Sequence, residues 1–219
     1  MKFFTVLTSL GAKERLALSF RHMNDDPQNH IRVIPPLLRK EVTLHEPYSG
    51  DYIHGYMVNA GFSENVMKWH RQHPGVPLRF FWDQWEEEPV KRVDNTLSFY
   101  QLDDVEFLRQ MAGCKAYAST AGFESVCEAM YLGKPILMVP AHIEQDCNAY
   151  DAEKSGAGII SSDFNLQQLL DFAKDYHPNR DFVYWVRGAE YTLLSLLESD
   201  SSNYQQVLFN EMYLVEEFI

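Results

Sequence analysis

The residues best suited to chemistry lie in one stretch, Ser119 to Ala149, reading STAGFESVCEAMYLGKPILMVPAHIEQDCNA. Its pattern predicts a strand, a tight turn at Gly122-Phe123, a helix, a second strand, and a second turn at His142-Ile143-Glu144-Gln145 leading into another helix. Glycine at 122 allows a sharp turn and close approach of a ligand to the backbone. A helix starting there presents free backbone N–H groups and the positive end of its dipole, an anion site suited to a pyrophosphate. Ser119, Thr120 and Ser125 add hydroxyls around it. Glu128, three residues after Ser125, shares its helix face. A carboxylate one turn inside such a helix can accept hydrogen bonds from both hydroxyls of a ribose, at roughly 1.5–3 kcal/mol for each charge-assisted bond. Glu144 and Gln145 at the second turn suit the hydroxyls of a sugar, with Asn148 one helical turn further in.

Alternating elements must position these groups. Strand patterns at Tyr52–Val58, Leu78–Trp82, Leu97–Tyr100, Ala116–Ser119, Ile136–Val139 and Gly158–Ile160 are interleaved with helical patterns at Ser63–His73, Asp103–Met111, Phe123–Leu132, Gln145–Lys154 and Leu166–Tyr176. Strands and helices alternating at this length imply βαβ units, an α/β fold with a parallel sheet. In such sheets the turns at the carboxyl ends of the strands form the ligand crevice. Ahead of this region, Phe4, Leu7, Leu10, Glu14 and Leu18 are spaced as a helix that breaks at Asn24-Asp25-Asp26-Pro27. Ile31–Ile34 is extended, Pro35-Pro36 keeps the chain extended, and Leu37–Val42 leads into the main domain. A last amphipathic helix runs from Phe182 towards Leu197. The division expected is a helical segment at 1–30, the α/β domain at 31–180 and a helical extension at 181–219.

Composition limits the partners. With 31 Asp and Glu against 19 Lys and Arg, the formal charge is -12, which argues against nucleic acid or an anionic membrane surface. A local phosphate site is still compatible with that charge. The three cysteines, Cys114, Cys127 and Cys147, form no CxxC pair, which argues against a disulfide framework or zinc site and points to a reducing compartment, read as the cytoplasm. No apolar run approaches the roughly 18 residues of a membrane span. Met1 to Leu7 is not read as a signal peptide, because Thr5, Thr8 and Ser9 interrupt its apolar run. Several side chains get structural readings: Glu124 as a helix-start charge, His142 as a loop residue, His70 and His73 as a helix end, and Cys127 and Cys147 as packing. Trp69, Trp82, Trp85 and Trp185 are read as core or interface aromatics, and Glu86 to Glu88 as a solvated loop.

The long motif resembles the donor-binding motif of GT-B glycosyltransferases, in the family 28-like and UDP-glycosyltransferase group. The shared skeleton is Gly122, Ser125, Glu128, Gly133 with Pro135, Glu144-Gln145 and Asn148-Ala149. The resemblance implies one Rossmann-like half of a GT-B fold, binding a nucleoside-diphosphate sugar with UDP as the expected carrier. It implies that Glu128 holds the ribose, that Ser125 and the Gly122 turn hold the pyrophosphate, and that Glu144 and Gln145 hold the sugar. It further implies a phosphate-side loop at Asn59 to Ser63 and a nucleobase reader at Phe99 to Leu102, with Tyr100 as the candidate. It calls for no metal or other cofactor. The acceptor site and general base are expected in an N-terminal domain or separate subunit, which would also carry any membrane association. The chain is therefore expected to be inactive alone. Two departures stand out: Thr120 replaces a histidine common in the family, and Glu124 brings a negative charge to the phosphate side. A UDP-sugar 2-epimerase and a non-catalytic nucleotide-binding member of the fold remain the alternatives.

Overall fold

The computed structural model describes residues 7–84 and 86–198. A two-stranded parallel sheet comes first, β1 (Arg15–Leu18) beside β2 (Ile31–Ile34). A short helix, α1 (Lys40–Thr43), leads into the main body. There follow β3 (Ile53–Met57), α2 (Ser63–Gln72), β4 (Leu78–Trp82), β5 (Val90–Arg92), β6 (Leu97–Gln101), α3 (Asp104–Gly113), β7 (Ala116–Ser119) and α4 (Phe123–Tyr131). The body continues with β8 (Ile136–Met138), α5 (Ile143–Lys154), β9 (Gly158–Ile160), α6 (Leu166–Phe172) and α7 (Arg180–Arg187), and after a break at Gly188 helical backbone resumes over 189–198.

The main sheet runs β5-β6-β4-β3-β7-β8-β9, parallel except for β5. Its strands bury both faces, so they read as near-continuous apolar runs. In β4, Phe80 joins one core and Phe81 the other, as the two-residue period of a strand requires. The first core lies under α3, α4 and α7 and holds Phe107, Val126 and Phe182; the second lies under α2 and α6 and holds Val66, Trp69 and Leu169. Gly158 is required by packing, since a Cβ there would sit 2.0 Å from the carbonyl oxygen of Ile136 on the neighbouring strand.

The α/β reading and the parallel sheet hold. The helix expected through Leu18 does not: residues 15–18 are a strand, and helical backbone among the described residues before it is confined to 7–8. The apolar spacing there fits an exposed strand, in which Leu16 and Leu18 project to solvent on the same side. Residues 19–21 are anchored to α5, where Asp151 accepts from the Ser19 hydroxyl at 2.9 Å, the Phe20 amide at 3.2 Å and Arg21 Nε at 2.9 Å. Strand β5 directly follows the expected acidic loop at Glu86 to Glu88 and is not among the expected strands. Residues 1–6, with Phe4 of the expected first helix, Trp85 and residues 199–219 lie outside the described residues.

Candidate functional site

The strand order reverses between β3 and β7, and a crevice opens beyond the carboxyl ends of strands at such a point. A cleft of about 460 Å³ lies there, bounded by Arg39, the β6–α3 junction, the start of α4, and Glu144 of α5.

The chain reaches α4 through a strained turn. Ala121 is left-handed, with φ 61°, while Gly122, the N-cap, has φ -62° and ψ 133°. The expectation that Gly122 supplies the sharp turn is thus corrected: the unusual backbone is at Ala121. A Cβ on Gly122 would meet only the Ser125 hydroxyl, at 3.6 Å. Its bareness keeps the helix mouth open instead. Among the described residues no side chain caps α4, so the amides of its first turn face the cleft without a capping acceptor.

Of the expected site residues, Gly122, Phe123, Ser125, Glu128 and Glu144 come together in the cleft wall. Ser119 and Thr120 are fully buried and serve the turn. Ser119 Oγ accepts from the Ala121 amide at 2.9 Å, and Thr120 Oγ1 from the Val58 amide at 3.4 Å. Gln145 turns back to accept from the Ala141 amide at 2.8 Å, and Asn148 Nδ2 donates to the Ala121 carbonyl at 3.3 Å. Both brace the loops around the cleft. Asn59 caps its own turn by accepting from the Gly61 amide at 2.8 Å. Tyr100 stacks on Phe81, ring centroids 5.1 Å apart, and lines a different cavity. The wall at the end of β6 is formed by Leu102, two residues on.

Glu128 is buried, and its Oε1 accepts from Arg39 Nε at 2.6 Å. Arg39 also pairs with Asp104 through Nη1 at 3.2 Å. Burial pushes the Glu128 carboxyl above its ordinary value; the hydrogen bond and charge of Arg39 offset part of that, and Glu124 and Asp104 add to it. Sequence reasoning missed Arg39, Tyr56, Asp104 and Phe107 as cleft residues. Arg39 belongs to a segment read only as a lead-in, 89 residues from Glu128. Glu124, read as a helix-start charge, is exposed in the cleft wall. Among the described residues that line the cleft Arg39 is the one cation, beside Asp104, Glu124, Glu128 and Glu144.

A family model described as glycosyl transferase family 1 matches residues 10–176. The fold is similar to that of the glycosyltransferase of kitacinnamycin, with a TM-score of 0.60 and 13% identity, over 85% of this chain and 55% of that one. It is also similar to the calicheamicin glycosyltransferase CalG4, with a TM-score of 0.56 and 13% identity, over 78% of this chain and 47% of that one. A putative UDP-glucuronosyltransferase of Caenorhabditis elegans is 35% identical over 52 residues, which are 24% of this chain and 10% of that protein. The chain thus covers about half the length of the solved transferases and a tenth of the curated relative.

Proposed function

Because the chain belongs to glycosyl transferase family 1 and has the parallel α/β sheet of the GT-B transferases, we propose that it is a donor-binding half. The whole enzyme would move a hexosyl group from a nucleoside-diphosphate sugar, with UDP as carrier. The observation that carries this reading is the uncapped start of α4 opening on the same cleft as buried Glu128. Glu128 Oε1 is taken by Arg39, and among the described residues no donor is directed at its second oxygen. That oxygen is the acceptor for a ribose hydroxyl. The diphosphate lies across the α4 amides and Ser125, where the helix dipole stabilises the charge that develops as the sugar leaves. Arg39 is within the same cleft and supplies the cation that Thr120 does not. Leu102 replaces Tyr100 as the residue against the base, and Glu144 is placed for sugar hydroxyls.

The acceptor site and general base are assigned to an N-terminal domain or subunit, in keeping with the chain's half-length match. Exposed Leu16, Leu18, Leu37 and Leu44 give that partner an apolar surface to cover. Localisation in the cytoplasm fits the free cysteines. Among the described residues no helix is long and apolar enough to cross a membrane.

A non-catalytic reading draws on the acidity of the cleft, where four carboxylates face one arginine and would weaken diphosphate binding. Calorimetric titration of the chain with UDP, beside Glu128→Gln, separates the readings. The loss of a charge-assisted hydrogen bond predicts about tenfold to a hundredfold weaker binding in the variant. Unchanged affinity removes the ribose from Glu128. No nucleotide binding even with the N-terminal half present favours the non-catalytic reading.

A further inference from the structure

A second cavity of about 340 Å³ lies at the other end of β4 and β6, beside Leu78 and Thr96 where those strands begin. Its wall is polar and basic. Arg79 on β4 pairs in register with Ser98 on β6, and Ser98 with Arg92 on β5. Directly paired residues share a sheet face, so Arg79, Ser98 and Arg92 form a row. At a strand spacing of about 4.8 Å, the two arginine backbones are about 10 Å apart with the serine hydroxyl between them. Arg109 of α3 joins the same wall.

Positive charge is concentrated here in a chain that has an excess of carboxylates. Among the described residues Glu106 is the one carboxylate lining the cavity; Arg109 and Gln110 hold it, and the charge of Arg79 also lowers its pKa, so it offsets part of the charge of three arginines. Among the described residues neither Arg79 nor Arg92 has an ion-pair partner. Arg79 is half-buried, its guanidinium lying over the Tyr52 ring at 3.9 Å from the centroid, which fixes its plane. A fixed guanidinium presents paired N–H groups that match two oxygens of a tetrahedral oxyanion.

We propose that the Arg79–Ser98–Arg92 row is a phosphate-binding site separate from the donor cleft. Arg79 and Arg92 grip the anion from two sides and Ser98 donates from beneath it. The ligand is free inorganic phosphate or the phosphate of a small phosphomonoester.

Titration of the full chain with inorganic phosphate and with glycerol 3-phosphate, followed by residue-resolved NMR at low salt, tests this. Saturable shifts are expected at Arg79, Arg92 and Ser98. The affinity falls at least tenfold in Arg79→Gln and in Arg92→Ala, while UDP binding is retained. Tighter binding of glycerol 3-phosphate assigns the ligand to an ester, and equal affinities to free phosphate. Arg92 is exposed on an edge strand, so Arg92→Ala decides the matter if Arg79→Gln does not fold. Phosphate shifts confined to residues 122–125, or unchanged affinity in Arg92→Ala, overturn the proposal.

Discussion

Arg39 Nε and Glu128 Oε1 meet at 2.6 Å across 89 residues of sequence, joining the segment that enters the domain to the helix that forms the cleft. The carboxylate is almost wholly buried and the guanidinium about a third exposed. Burial outweighs the pairing, because the Glu128 carboxyl lies above its ordinary value. This contact therefore restrains an ion that the fold itself disfavours, a feature expected of a binding group rather than of a stabilising one.

A stability prediction follows from the sign of that shift. A carboxyl raised on folding binds its proton more tightly in the native state, so its contribution declines as pH rises from the unfolded value through the folded one. Glu128→Gln is expected to melt at or above the wild-type temperature at pH 7, with the advantage vanishing in acid below the ordinary carboxylate range. Thermal denaturation across pH measures this. A variant that melts lower at pH 7 makes the pair net stabilising.

Arg39 should matter more for ligand than for fold. Arg39→Ala leaves Glu128 buried without its partner, which raises its carboxyl further and weakens UDP binding by about tenfold or more. Arg39→Lys keeps the charge but loses the planar fork, so only part of the affinity returns. Calorimetry on both variants reads this directly; equal affinity in Arg39→Ala places the diphosphate elsewhere.

The turn before α4 separates conformational from contact roles. Ala121 is left-handed and fully buried. Ala121→Val adds β-branching at positive φ and two methyl groups to a filled site, at a cost of about 2–4 kcal/mol. Gly122→Ala meets neither problem and should unfold like wild type, yet weaken UDP binding through a methyl at the helix mouth. Urea denaturation of both, with UDP titration of the second, distinguishes these roles. A strongly destabilised Gly122→Ala contradicts the assignment.

His54 controls part of the acid limit. Its ring is enclosed by Phe81, Phe107 and Tyr117. Burial lowers its pKa to about 3. The unfolded chain takes up this proton near pH 6.5 and the native state does not, so stability falls as pH drops from about 6.5 towards 3. His54→Phe removes that linkage, and its acid-unfolding midpoint, followed by circular dichroism, should lie at lower pH than wild type. An unchanged midpoint makes other groups responsible.

The sequence by itself determined the elements and the principal motif. Apolar runs of strand length between amphipathic helices specify a parallel sheet because each strand must bury two faces. Leu78–Trp82, Ala116–Ser119 and Gly158–Ile160 keep the bounds that their patterns give. Gly122, Ser125 and Glu128 share a cleft because three-residue spacing on one helix fixes their common face. The leading segment differs from its helical spacing because β1 is only four residues, RLAL, too short to display a two-residue period against a helical one. Tertiary structure alone decided the rest. Which hydroxyls reach the cleft depends on the left-handed turn at Ala121, which turns Ser119 and Thr120 inward. Which charge meets Glu128 depends on how the segment after β2 crosses the sheet, and local periodicity carries no record of a contact made 89 residues away. The row of Arg79, Ser98 and Arg92 likewise arises from the register between strands, set by packing across the sheet and not by spacing along the chain.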